Sequence, residues 1–339
     1  MGGAMRKSGP TIADVAQLAG VSSQTVSRVS TGAENVRSET RARVLEAMSK
    51  LGYSPNHAAR SLRNGTFGAL GLIAHRYERT GETLITSGVI RAAEKHGYTV
   101  TLLSIDTPDD EHWQQAAHLI SNQAIDGLII VRAEQASPST LKLPARLPVA
   151  VSDSRLMAHY PSVIADQVQG TMDATTHLLS LGHRTVHHIG GPPDSIPAQI
   201  REATWRRCLE VAGATPPPVL RGDWTPRSGY LLGRQLCQDP TLTAVYVAND
   251  EMAIGLIRAL HEGGRRVPED VSVVGFDGIT VGEFIHPPLT TVRQDFSEIG
   301  HGLVELVLGQ LRDFDLSLPF RTVIPTELVV RCTTAPPRP

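Results

Sequence analysis

The chain has 339 residues, 41% hydrophobic and 19% charged, the composition of a water-soluble protein too long for one ordinary core, so two or three domains are expected. A net charge of -2 conceals an asymmetry: residues 1–66 sum to +5 and the remainder to -7, which assigns a nucleic-acid partner to the head and not to the body. Three scattered cysteines (Cys208, Cys237, Cys332), no apolar run of membrane-spanning length and no apolar signal core argue against a disulfide scaffold, a membrane partner or export, and point to the cytoplasm.

Residues 1–10 read as a disordered basic lead-in. TIADVAQLAGVSSQTVSRVS, residues 11–30, then reads as two short helices joined by a tight turn. Thr11 can cap the first, with Asp14 in its first turn. Ile12, Val15, Ala16 and Ala19 recur at helical spacing, and Gly20 stands where a left-handed residue ends a helix. Ser22 or Ser23 can cap the second helix, whose Val26 and Val29 face the first. This spacing predicts a helix-turn-helix, with Ser23, Gln24, Ser27 and Arg28 on the outward face, able to bond base edges or phosphates. A loop follows, then a third helix capped by Ser38 and ending at Gly52, its Val44, Leu45, Met48 and Leu51 closing a small core. Arg37, Arg41 and Arg43 would meet phosphates. YSPNHAARSLRNGT, residues 53–66, offers a helix start at Pro55 and Asn56 and a thin stripe of Ala58, Ala59 and Leu62. About nine residues are too few to hold helical shape alone in water, so this segment is expected to fold on contact.

In the body, apolar runs alternate with helical patterns. Strands are predicted at 68–73, 99–104, 127–131, 149–152 and 163–165, with helices at 82–96 and 110–122. A second series follows, with strands at 185–189, 244–248 and 271–275 and helices at 167–181, 198–212, 228–237 and 249–263. Such alternation predicts parallel sheets covered by helices, in two lobes with a ligand cleft at the carboxyl ends of the strands. His183, His187 and His188 lie on and before a strand with no acidic partner at ligand spacing, so no metal is expected. Arg265 and Arg266 read as a solvated turn. No phosphate loop, nucleophile elbow or zinc-protease motif occurs, so neither an enzyme nor a cofactor is expected.

The head resembles the LacI/GalR family of bacterial repressors, on TIADVAQLAGVSSQTVSRV together with YSPNHAARSLR. The resemblance continues through HLLSLGHRTVHHIGG, VANDEMAIGLIRALHEGGRRVPEDVSVVGFD and PPLTTVRQDFSEIG, and so covers nearly the whole chain. It implies an α/β fold: a helix-turn-helix head (11–53), a hinge helix (54–66) and a two-lobed periplasmic-binding-protein-like core (67–331), followed by a tail (332–339). Lobe 1 is expected at about 67–165 and 293–320 and lobe 2 at about 166–292 and 321–331, with crossings near Ala165, Val292 and Phe320. The DNA-binding set it implies is Thr11, Ser22, Ser23, Gln24, Thr25, Ser27, Arg28, Asn56, Ala59 and Leu62. Ser23, Gln24 and Arg28 are the base readers, Leu62 the minor-groove wedge and Ala59 its neighbour.

The effector set it implies is His75, Asp153, Arg201, Trp224, Asn249, Asp277, Gln294 and Phe296. Arg201, Asn249 and Asp277 would bond hydroxyls, while Trp224 (in GDWTPRSGY) and Phe296 would form an aromatic wall for a sugar ring. Two heads on a pseudo-palindromic operator require a homodimer, to which residues 88–94 would contribute. The end, RCTTAPPRP, lacks a heptad segment for tetramer formation. The expected function is repression of carbohydrate-metabolism genes, relieved when a small sugar, such as a β-galactoside, closes the lobes and disorders the hinge helices. A purine-controlled regulator is the alternative. A periplasmic sugar carrier would share the body, but the basic head and the absent export signal oppose it.

Overall fold

A computed structural model describes residues 10–30, 33, 35–53, 66–74, 79–104, 120, 124–131, 139–314 and 321–338. These divide into two compact units, Met1–Phe67 and Gly68–Pro339. The expected lead-in, the hinge segment with Asn56, Ala59 and Leu62, and most of the helix predicted at 110–122 lie outside the described residues.

The first unit contains α1 (Ile12–Ala19), α2 (Ser23–Ser30) and α3 (Ser38–Leu51). Thr11 and Asp14 form a reciprocal capping box: the Thr11 hydroxyl accepts from the Asp14 amide, and Asp14 accepts from the Thr11 amide at 2.7 Å. Gly20 (φ 65°) ends α1 in the left-handed conformation the turn requires. Ser22, not Ser23, caps α2, its hydroxyl accepting from the Thr25 amide at 3.2 Å. Val15, Ala16, Ala19, Val26, Val29, Val44, Ala47 and Met48 form one core. Two expectations for α3 need correction. Its first residue is Ser38, with Arg37 before it making no side-chain cap. Leu45 is 52% exposed while Ala47 is buried, because the contact face of α3 runs through 44, 47 and 48.

The second unit is built on two six-stranded sheets. The first contains β1 (Ala69–Ala74), β2 (Thr99–Ser104), β3 (Gly127–Val131), β4 (Val149–Ser152) and β5 (Ser162–Ala165), with α4 (Thr80–Lys95) between β1 and β2. The chain then enters the second lobe as α5 (Gln167–Ser180), β6 (His187–Gly190), α6 (Ile196–Val211) and β7 (Leu220–Arg221). It continues with α7 (Pro226–Leu236), β8 (Ala244–Val247), α8 (Asp250–Glu262), β9 (Ser272–Asp277) and β10 (Thr290–Arg293). It returns as α9 (Phe296–Arg312) and β11 (Arg321–Ile324) and ends the second sheet with β12 (Glu327–Val329). Strand orders are β11-β5-β4-β3-β1-β2 and β12-β10-β9-β8-β6-β7. All pairings are parallel except β10 with β12. The fully buried apolar runs of β3 and β8 suit parallel strands covered on both faces.

The third crossing differs from expectation. β11 pairs with β5, so residues 321–324 complete the first sheet and the chain crosses at 325–326, not near Phe320. Residues 332–338 are no loose tail: Val273 N donates to Thr333 O at 2.8 Å, and the Thr333 hydroxyl donates back to Val273 O at 2.6 Å. Neither β10 nor the seventeen-residue α9 was expected from the sequence.

Each lobe holds one helix pair in contact through glycines. In the first, a Cβ on Gly300 of α9 would lie 2.6 Å from the backbone of Gly88 in α4. In the second, a Cβ on Gly229 of α7 would lie 2.1 Å from Met252 O, and one on Gly255 of α8 would lie 1.9 Å from Pro226 O.

Of the three histidines, His183 bonds Thr243 and Ser272 hydroxyls, and His187 meets Asp239 Oδ2 at 3.1 Å, an acidic partner from another element that spacing alone did not reveal. Among the described residues no group of three or more potential ligands could hold a metal. His188 is sandwiched between Trp205 and Tyr246, at 5.1 and 4.9 Å between ring centroids. Burial pushes its pKa down to about 4, against an opposing hydrogen bond to the Tyr246 carbonyl. Between that value and the ordinary imidazole range, the unfolded chain binds a proton that the folded chain refuses, so the stability His188 contributes is lost as pH falls through this window. Urea unfolding should therefore show wild type losing roughly 2–3 kcal/mol more than His188→Phe between pH 7.5 and 4.5.

Candidate functional site

Two separate sites arise, one in each unit. In the head, Ser22, Ser23, Gln24 and Arg28 are exposed, while Thr25 and Ser27 are half-buried on α2. Thr11 and Ser22 already serve as caps, and the Thr25 hydroxyl sits 3.0 Å from that of Ser22. The exposed polar surface of α2 is therefore carried by Ser23, Gln24 and Arg28, with the half-buried Ser27 on its flank. Arg37, just before α3, and Arg43, on it, are exposed. Arg41 instead donates to the Ala33 carbonyl at 2.5 Å and ties down the loop after α2.

The second site lies between the lobes, at the carboxyl ends of the second sheet's strands. Arg79, Thr80 and Gly81 from the start of α4 face Arg201, Trp224, Asn249, Glu251 and Asp277 across a pocket. Thr80 Oγ1 donates to Glu251 Oε1, joining the lobes directly.

Arg201 is 1% exposed and organises the floor. Its Nε donates to Gln167 Oε1 at 2.8 Å and its Nη1 to the Ala248 carbonyl. Its guanidinium lies 3.7 Å from the centre of the Phe276 ring and 3.7 Å from Asp277 Oδ1. Gln167 Nε2 reaches Gln294 Oε1 at 3.4 Å, and Gln294 Nε2 donates to Asp277 Oδ1 at 2.7 Å. Arg201, Gln167, Gln294 and Asp277 thus close a polar ring drawn from α6, the start of α5, the segment after β10 and the end of β9. A planar fork with several donors suits this place better than an ammonium.

Trp224 sits at φ 74°, held there by Asn249 Nδ2, which donates to its carbonyl at 3.0 Å. Asn249 Oδ1 caps α8 by accepting from Met252 N at 3.0 Å. The indole packs on Gly191, where a Cβ would lie 2.3 Å from the ring. Its Nε1 has no hydrogen-bond partner among the described residues. One backbone thus places an indole and a carboxylate-guanidinium pair around one space. That combination can stack a ring and bond its hydroxyls.

The predicted residues do not all meet. Arg201, Trp224, Asn249 and Asp277 line the pocket, with Gln294 bonded behind Asp277. Asp153, after β4, is buried at φ 47° and is not among those lining residues. Phe296, the first residue of α9, belongs to the buried cluster of the first lobe with Val89, Ile299 and Leu303 and is not among the residues lining this pocket. His75 lies outside the described residues. Sequence reasoning missed Gln167, Glu251, Thr80 and Arg79. Glu251 carried the weak signal of an acid in a helix's first turn, two residues after Asn249, while the others carried none.

Comparison with known proteins agrees with both units. Residues 11–56 match the family described as "Bacterial regulatory proteins, lacI family", and residues 175–334 match "Periplasmic binding protein-like domain". The HTH-type transcriptional repressor PurR of Haemophilus influenzae (strain PittEE) is 33% identical over 332 residues, covering 95% of this chain and 97% of that protein. The lactose operon repressor of Escherichia coli (strain K12) is 33% identical over 330 residues, covering 96% and 91%. The crystal structure of the lac repressor dimer bound to operator and the anti-inducer ONPF superposes with a TM-score of 0.85 at 32% identity, covering 97% of this chain and all of that one.

Proposed function

The chain belongs to the LacI family of DNA-binding transcriptional repressors, and from that premise we propose that its effector is a small sugar that releases it from the operators of carbohydrate-metabolism genes. The observation that carries the sugar is Trp224, which lines the pocket with Arg201 and Asp277 and whose buried N–H has no partner among the described residues. A pyranose offers that set an apolar ring face and paired hydroxyls, with a β-galactoside or related glycoside as the leading candidate.

In this reading the protein acts as a homodimer on a pseudo-palindromic operator, with Ser23, Gln24 and Arg28 reading bases and Leu62 wedged in the minor groove between the half-sites. The sugar bridges the two lobes, stabilises one arrangement of them, and so withdraws support from the hinge helices at 54–66. It shifts the operator equilibrium only as far as it prefers that arrangement, typically about 1–3 kcal/mol.

The experiment is an operator titration, using DNA selected from random duplexes, with and without galactosides, cellobiose and purine bases. Release by a sugar supports this reading. Tightening by a purine supports the second reading, which the similarity to repressors named PurR favours and which would use the same Arg201 and Asp277. Independently of the effector, log Kd for operator should rise linearly with log salt, since phosphate contacts release counterions. A flat salt response would exclude the head as the DNA-binding element.

A further inference from the structure

We propose that Asp250, which does not itself line the cleft, is the positioning residue that holds the turn at 277–279 so that the Asp277 carboxylate points at the effector. The effector role of Asp277 belongs to the reading above, whereas the geometry of the turn stands apart from it.

The turn is strained and needs a fastening. Asp277 sits at φ 118°, a region that residues with side chains rarely occupy. Gly278 follows at φ 72°, where a Cβ would lie 2.7 Å from the Arg293 Cα, so no other residue fits. Asp250 is 0% exposed at the start of α8, directly beneath this turn. Its Oδ2 accepts from the Ile279 amide at 2.8 Å, and its Oδ1 accepts from the Thr291 hydroxyl at 2.5 Å. The Thr291 oxygen in turn accepts from the Gly278 amide at 3.3 Å. One carboxyl group therefore fastens two consecutive amides of the turn, one directly and one through β10.

A second observation shows that the fold makes room for this group. A Cβ on Gly275, in the middle of β9, would lie 2.1 Å from Asp250 Oδ1. A strand-interior glycine weakens a strand, and here it leaves space for the approaching carboxyl. With the turn fastened from below, Asp277 meets Gln294 and Arg201 on its cleft side. Asp250 and Glu251 thus divide the first turn of α8: one faces inward to the turn, the other outward to Thr80 and the other lobe.

The test is amide hydrogen exchange on the full chain without effector. Asp250→Ala should raise exchange at Gly278 and Ile279 by about tenfold, leaving amides inside β8 and the second half of α8 at wild-type rates. Asp250→Asn, which keeps an acceptor for Ile279, should restore most of that protection. Thr291→Val covers the case in which the alanine variant does not fold, and should expose Gly278 more than Ile279. Unchanged exchange at 278–279, or a uniform rise across the second lobe, would overturn the proposal. Because no effector is present, failure of the sugar reading leaves this test intact. With a responding sugar in hand, Asp250→Ala should raise its half-release concentration about tenfold at unchanged operator affinity. An equal loss in operator affinity would mean that Asp250 acts on the whole body rather than on the turn.

Discussion

Arg201→Ala is expected to abolish the effector response and to lower the stability of the body by about 3–5 kcal/mol, the range for removing one partner from a buried charged network. The loss has identifiable parts. Gln167 Oε1 and the Ala248 carbonyl each lose a donor, the Phe276 face loses its guanidinium, and Asp277 loses a cation 3.7 Å away. Arg201→Lys separates function from folding. A single ammonium cannot reach Gln167 and Ala248 together while covering Phe276, so this variant should fold and bind operator normally yet fail to respond to effector. Urea unfolding and operator titration at a temperature where both variants are folded provide the readouts. An Arg201→Lys protein that responds at wild-type effector concentrations would remove Arg201 from the site.

Gly255→Ala should be nearly as damaging, although it adds one methyl group far from the polar ring. In an unobstructed helix the same change stabilises by about 0.5–1 kcal/mol, because alanine loses less backbone freedom on folding. Here the methyl would meet the Pro226 carbonyl and the Tyr230 amide, both backbone atoms of α7, so no rotamer change can accommodate it. The helices must separate along a line that includes Gly229 and Gly233. Overpacking of this kind costs about 3 kcal/mol, which at roughly 2–4 °C per kcal/mol lowers the melting temperature by about 6–12 °C. A higher melting temperature would show that the two helices stand further apart than described.

The head was almost wholly legible because its signals are local. Thr11, Gly20 and Ser22 act on their own helix ends, and the valines of α1 and α2 keep helical spacing. The body's alternation of strands and helices was legible for the same reason. Helix α9 was not, since FSEIGHGLVELVLGQLR has three glycines in seventeen residues, a composition that argues against a helix. At least Gly300 is explained only by α4, which lies against it. The four-residue β11 alternates exposed and half-buried positions and has no apolar run, so nothing local assigned it to the first sheet.

The site divides along the same line. Arg201, Trp224, Asn249 and Asp277, which the family resemblance names, meet at one pocket, each lying just after a strand, at its end or early in the helix that follows. Gln167, Thr80 and Glu251 belong to the site only because chain crossings bring distant segments together. Phe296, expected as an aromatic wall, belongs to the buried cluster of the first lobe and is not among the residues lining the pocket described above.

The way the strands are shared out between distant parts of the chain bears on how the protein is made. The head is complete by Leu51, whereas α9, β11, β12 and Thr333, which finish the two halves of the body, all come after residue 290. On the ribosome, a nascent chain of 290 residues carries a finished DNA reader attached to two unfinished sheets. A premature stop codon soon after codon 290 would therefore not yield a half-regulated protein. It would yield a reader with no working body behind it, and a clearance target for proteases.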